Sequence, residues 1–187
     1  MSFIPVFEIG VWNAWIFMIY QFVLLGLGAL IYSGSFKKGA TGFPYDKREK
    51  IVDIVYESIF YIGVIYSVFL PLKLGTIWFY IGLPIFLLGA IMNTVASVNF
   101  ATAPLAELVS KGIYRYSRHP IYVSFLLMFI GAGVATASWL LLLFAVVLMI
   151  LMNPLVIPEE RFCLDKYGDS YRKYMNRTPR WIGMPKS

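Results

Sequence analysis

An all-α integral membrane protein is what this sequence predicts: five transmembrane helices, the last two a helical hairpin, with a cytoplasmic C-terminal helical tail. Three observations lead there. The 187 residues are 59% hydrophobic and 14% charged, with a mean hydropathy of +0.72, far more apolar than a soluble domain of this length needs to fill its core. Apolar runs near the ~20 residues that a helix needs to cross hydrocarbon recur five times. The basic residues gather between and after those runs.

The first run, about Gly10 to Tyr32, carries Trp12, Trp15, Tyr20 and Tyr32 where interfacial aromatics are expected. No Lys or Arg comes before Lys37, so the basic leader of a cleavable signal peptide is missing and the run is expected to stay as a span. Residues 33–50, rich in Gly, Lys and Pro, read as an extramembrane loop. A second helix covers about Ile51 to Leu70 and stops at Pro71. After the link Leu72 to Gly75, a third runs from Thr76 to about Val98, and Pro84 inside it predicts a kink. Residues 99–120 leave the membrane. The fourth helix, Ile121 to about Ala135, is short for a full crossing: either it tilts into a thinner region, or it forms a hairpin with the fifth whose ends are buried in protein. The chain turns at Thr136-Ala137-Ser138 and returns as Trp139 to about Ile157, and the tail from Pro158 is polar.

Orientation follows from charge. Five Lys or Arg lie in 33–50, three in 99–120 and seven in the tail, against Lys73 alone on the other side. The loops and tail are therefore expected to face the cytoplasm and the N-terminus to face out. The formal charge of +6 has the same origin, so no nucleic acid partner is expected; the bilayer itself is the partner. A single cysteine, Cys163, excludes an internal disulfide and a thiolate zinc cluster, and with one histidine no metal site is expected.

Chemistry concentrates in Leu108 to Tyr122, which holds the single histidine, Lys111, Arg115, Arg118 and three tyrosines between two apolar runs. Polar groups kept at a membrane boundary are costly and usually mark a site. Pro120 disfavours helical geometry at His119 and starts the next helix well, and the unpaired amides opening that helix can hold a carboxylate. His119 sits where such an anion would dock, either as a hydrogen-bond donor or as a base; a histidine that merely caps the helix is the plainer alternative. Glu159 and Glu160 end the fifth helix. Neighbouring residues on a helix point about 100° apart, so one carboxylate is expected to face the site and the other a basic partner such as Arg118 or Arg161. Tyr167, Tyr171 and Tyr174 recur at helical spacing despite Gly168 and read as a lid or interfacial anchor.

Leu-Val-x-x-Gly-Ile-Tyr-x-x-x-Arg-His-Pro-x-Tyr at 108–122, a helical hairpin, Glu159-Glu160, Tyr167-Gly168, Tyr171-x-x-Tyr174 and Thr178-Pro-Arg together resemble the isoprenylcysteine carboxyl methyltransferase and phospholipid methyltransferase family. The resemblance covers about Asn99 to Trp181 and implies a membrane enzyme using S-adenosylmethionine at the cytoplasmic face. It implies one structural domain, with residues 1–98 forming three spans and 99–187 the catalytic region. By position, Asn99, Leu108, Val109, Tyr114, His119, Pro120, Ile121, Tyr122 and Glu159 would bind the cofactor. Arg118, His119 and Glu160 would be catalytic: Arg118 for an anionic group of the acceptor, His119 for proton handling, Glu160 as the second acid. The partner would be a lipophilic small molecule or lipid substrate. One departure matters. In the isoprenylcysteine enzymes an arginine serving the prenylcysteine carboxylate lies four residues before the first glutamate, where this chain has Leu155. A lipid amine, a thiol or another small apolar acceptor is expected instead.

Two other classes compete. A non-catalytic assembly or transport protein would draw attention to Asp53 and Glu57, one turn apart on the second helix. A related membrane reductase would need NADPH.

Overall fold

Asp46 starts the helix that follows the first loop. Its carboxylate accepts from the Glu49 amide at 2.8 Å while the Glu49 side chain accepts from the Asp46 amide at 2.9 Å, so two end donors are satisfied reciprocally. The helix therefore runs Lys47–Ser67 and takes in charged residues that apolarity alone would leave in the loop. The computed structural model describes residues 8–31, 45–104 and 107–186. The expected loop through Lys37 and Lys38 falls largely outside the described residues, as does Tyr32. Within them the chain forms α1 (Trp15–Ile31), α2 (Lys47–Ser67), α3 (Ile77–Thr102), a 3-10 turn (Gly112–Arg115), α4 (Pro120–Ala135), α5 (Trp139–Tyr167) and α6 (Asp169–Arg177).

Helices α3 and α5 are long and apolar enough to cross a membrane, while Trp15–Leu24 and α4 are shorter apolar helices. Pro84 lies inside α3, which continues past the expected end at Val98 and carries Asn99 on its last turns. Helix α5 departs further from expectation. It does not end near Ile157 but passes through Pro154 and Pro158 to Tyr167, so the start of the expected tail is helical. Each proline removes one backbone donor, but Leu155, Val156 and Pro158 are buried, and this packing holds the helix through the lost bonds. It stops at Gly168, whose φ of +53° suits glycine. The three tyrosines consequently do not share one helix: Tyr167 ends α5, and Tyr171 and Tyr174 are buried on α6.

Close packing of α3 on α4 is the centre of the structure. Side chains are minimal where the two backbones meet. A Cβ on Gly82 would stand 2.3 Å from the Ala135 amide nitrogen, and one on Gly131 would stand 2.4 Å from that of Phe86. Around this seam lies the core, with Phe86, Met128, Phe129, Leu141, Leu148 and Met152 among its members. The α4–α5 hairpin forms as expected. Thr136 caps the end of α4, Ala137 takes a left-handed turn, and the Ser138 hydroxyl accepts from the Leu141 amide to open α5.

The far end of α4 is tied to the link between α2 and α3, and that stretch in turn to the N-terminal segment. The Lys73 amide donates to Ala135 O at 3.0 Å, Ala14 donates to Leu70 O, and the Asn13 side chain donates to Val68 O. The near end of α4, at His119, is left to the residues discussed next.

Candidate active site

Proline fixes the geometry at the head of α4. Pro120 occupies the first helical position, and His119, as N-cap, has extended φ (−127°) with a side chain that makes no cap bond. The capping alternative for this histidine therefore does not hold. Its amide donates instead to the Ser117 hydroxyl at 3.1 Å, and its ring points away towards α5.

The ring meets both glutamates. Nε2 lies 3.1 Å from Glu160 Oε1 and Nδ1 lies 3.4 Å from Glu159 Oε2. Sequence reasoning expected the two acids to face different ways; the histidine instead sits between the directions they take, and each ring nitrogen reaches one. Glu160 also meets the basic partner expected for one of the pair, since Arg118 Nη2 stands 3.0 Å from its Oε1. Arg180 adds two more bonds, Nε at 3.2 Å and Nη2 at 2.6 Å. Glu160 is 4% exposed, so four charge-assisted contacts offset what burial of its carboxylate costs. Arg161 faces elsewhere and forms a two-pronged pair with Glu49 on α2.

Glu159 is more open. Beyond His119 it accepts a short hydrogen bond from the Tyr122 hydroxyl, and Tyr122 in turn packs edge-on against Tyr56 of α2. Trp181 closes the other side, its ring 6.0 Å from the imidazole. Burial draws the His119 pKa down, but hydrogen bonds to Glu159 and Glu160 and their charges outweigh it. The net result is a histidine held above its usual 6.5.

The remaining expected residues lie on α3, the segment after it, the 3-10 turn and the start of α4. Leu108 and Val109 are half-buried in the extended segment after α3, and Tyr114 is buried on the 3-10 turn. Pro120 is buried and Ile121 half-buried in the first turn of α4. Asn99 on α3 faces Gly112: a Cβ there would come 2.1 Å from Asn99 Nδ2. Gly112 has a φ of +62°, so both its conformation and its neighbour demand glycine. Asn99 Nδ2 is buried without a hydrogen-bond partner among the described residues, as is Arg118 Nε. A buried donor left unpaired costs roughly 1–3 kcal/mol, and such atoms call for a ligand.

Arg180, Trp181 and Ser117 were not singled out from the sequence. Arg180 lies in the Thr178-Pro-Arg run, but only the return of the tail brings it in: the Arg118 amide donates to Pro179 O and the Gly183 amide to Tyr116 O.

A family profile described as phospholipid methyltransferase matches residues 72–170, which is more than half of the 187-residue chain. The chain belongs to the phospholipid methyltransferase family. The matched region of this family member includes His119, Glu159 and Glu160 and stops short of Arg180. Relatives include a protein-S-isoprenylcysteine O-methyltransferase of Schizosaccharomyces pombe, 36% identical over 40% of this chain and 32% of that one. A methanethiol S-methyltransferase of Bradyrhizobium diazoefficiens is 41% identical over 37% of this chain and 24% of its own length. A nickel-cobalt-cadmium resistance protein of Alcaligenes xylosoxydans xylosoxydans is 32% identical over 51% of this chain and 47% of its own. The chain thus spans about a quarter to about a half of the length of these curated relatives.

Proposed function

We propose that this family member is a membrane-embedded enzyme that transfers a methyl group from S-adenosylmethionine to a lipophilic acceptor. The observation that carries the reading is His119 clamped between Glu159 and Glu160 at the head of α4; support comes from the Asn99 side-chain amide beside Gly112, buried with no hydrogen-bond partner among the described residues. The donor set suits the cofactor: Asn99 offers an unused donor, the first turn of α4 offers free amides for a carboxylate, and Glu159 offers a carboxylate not saturated by arginines. Leu108, Val109, Tyr114, Pro120, Ile121 and Tyr122 complete the lining. When bound, S-adenosylmethionine supplies an electrophilic methyl group on a sulfonium.

The side chains of this chain divide the remaining work. Glu160, with its oxygens taken by His119, Arg118 and Arg180, is a positioning residue that fixes the imidazole. His119 holds a proton at one or both ring nitrogens and so keeps the two acids from repelling each other. Arg118 serves as counter-ion to Glu160, leaving Nε for an anionic acceptor group. Tyr122 and Trp181 exclude water from the ring. Transfer itself then needs alignment more than covalent help.

The acceptor is a lipid amine, a thiol or another small apolar molecule. Support comes from Leu155, which stands where isoprenylcysteine enzymes carry an arginine and is 3% exposed within the core. Five spans rest on the apolar runs, and an outward N-terminus and a cytoplasmic site on the charge asymmetry, with the Lys73 amide bonded to the end of α4 far from His119.

The test is a labelled methyl-transfer assay on purified protein in native lipid extract, with identification of the product. The wild type is expected to label a lipophilic product, and His119→Ala to lose activity by at least roughly a hundredfold, the scale of positioned acid–base groups. Equal labelling by wild type and His119→Ala would overturn the reading.

A further inference from the structure

Adjoining the proposed cofactor lining at Leu108, the 3-10 turn, α6 and the C-terminal strap border a cleft of about 540 Å³. Arg115 comes from the turn, Lys173 and Arg177 from α6, and Lys186 from the strap, and Ser110 and Thr178 also line the cleft. No acid lines it. Asp169, the acid at the start of α6, pairs with Arg172 outside the cleft at 3.4 Å. None of the four cations forms an ion pair among the described residues. All four are exposed, yet they come from three separate segments and border one cleft, so their like charges raise the local potential there. The strap is held in place by backbone bonds, Lys186 N–H to Arg177 O at 2.8 Å and Gly183 N–H to Tyr116 O at 3.0 Å. It also carries Ile182 and Met184, which are 60% and 81% exposed. Exposed apolar side chains beside a cationic cleft, at the end of an apolar helix bundle, fit the boundary of a bilayer.

We infer that this cleft binds the phosphate of an anionic phospholipid headgroup, with Ile182 and Met184 seated in the adjoining acyl region. The lipid there is a docking ligand, distinct from the methyl acceptor. It cross-links α6 and the strap to the 3-10 turn, and so holds the cover over His119, because Tyr174 of α6 already donates to Tyr114 O at 2.6 Å.

The test is native mass spectrometry of the purified chain in detergent, titrated with phosphatidylglycerol, phosphatidylcholine or inorganic phosphate. Wild type is expected to retain phosphatidylglycerol in preference to phosphatidylcholine. Each cation near an anionic surface is worth roughly fivefold in affinity, so R115Q/K173Q/R177Q should lose on the order of a hundredfold, and Arg172→Gln, outside the cleft, nothing. Circular dichroism checks the fold; if the triple variant fails to fold, Lys173→Gln and Arg177→Gln singly should each lose roughly fivefold. Equal retention of both lipids, or an unchanged preference in the variants, overturns the inference. Displacement of the lipid by inorganic phosphate would assign the cleft to a free anion, and displacement by S-adenosylmethionine would assign it to the cofactor; either result overturns it too.

Discussion

At His119, stability and protonation are linked. The folded protein holds the imidazole pKa above 6.5, so the protonated ring contributes stability that is fully present below about that pH and is lost as pH rises through the raised value. The melting temperature in detergent should therefore fall with rising pH on the alkaline side of 6.5, and the slope should flatten in His119→Gln. A wild-type curve with no such slope would contradict a charged histidine. Glu160 makes a sharper case. Its removal leaves the Arg118 side chain, 8% exposed and already short of a partner at Nε, as an uncompensated buried charge. Glu160→Ala should cost about 3–5 kcal/mol, the usual result of breaking a buried pair from one side, while Glu160→Gln, which keeps a hydrogen-bonding oxygen, should cost less. Denaturation of the two variants side by side checks the order. These roles were only partly legible in the sequence. His-Pro and Glu-Glu stand out as motifs, but nothing in their spacing says that one ring reaches both acids.

Helix packing shows the same division. The hairpin at Thr136-Ala137-Ser138 is readable because small and hydroxyl residues interrupt two apolar runs there. The continuation of α5 through two prolines is not, because proline signals a helix end locally and only the burial of Leu155, Val156 and Pro158 reverses that signal. The α3–α4 seam is a tertiary matter as well. Gly131→Ala places a methyl group 2.4 Å from the Phe86 backbone, which no side-chain rearrangement can relieve, so the helices must part. A loss of about 1–3 kcal/mol is expected, as for overpacked cores. Gly168→Ala makes a useful contrast. Its Cβ would meet nothing, so any loss there comes from the left-handed backbone alone. Thermal unfolding of the two variants separates crowding from conformational strain.

Across the whole molecule, the proposed topology puts Lys73 and Arg177 on opposite sides of the membrane. With Cys163→Ser as background, Lys73→Cys and Arg177→Cys should react with an impermeant thiol reagent from opposite faces of sealed vesicles. Reaction of both from one face would overturn the five-span arrangement. The sequence by itself determined that the chain is helical and apolar and marked His119 and the paired glutamates as candidates, because hydropathy and proline act over a few neighbouring residues. Only the tertiary structure decided that Arg180 and Trp181 return to close the site, that Glu160 is saturated while Glu159 stays open, and that four cations surround one cleft. Those facts depend on contacts between segments tens of residues apart, whose energies local patterning does not record.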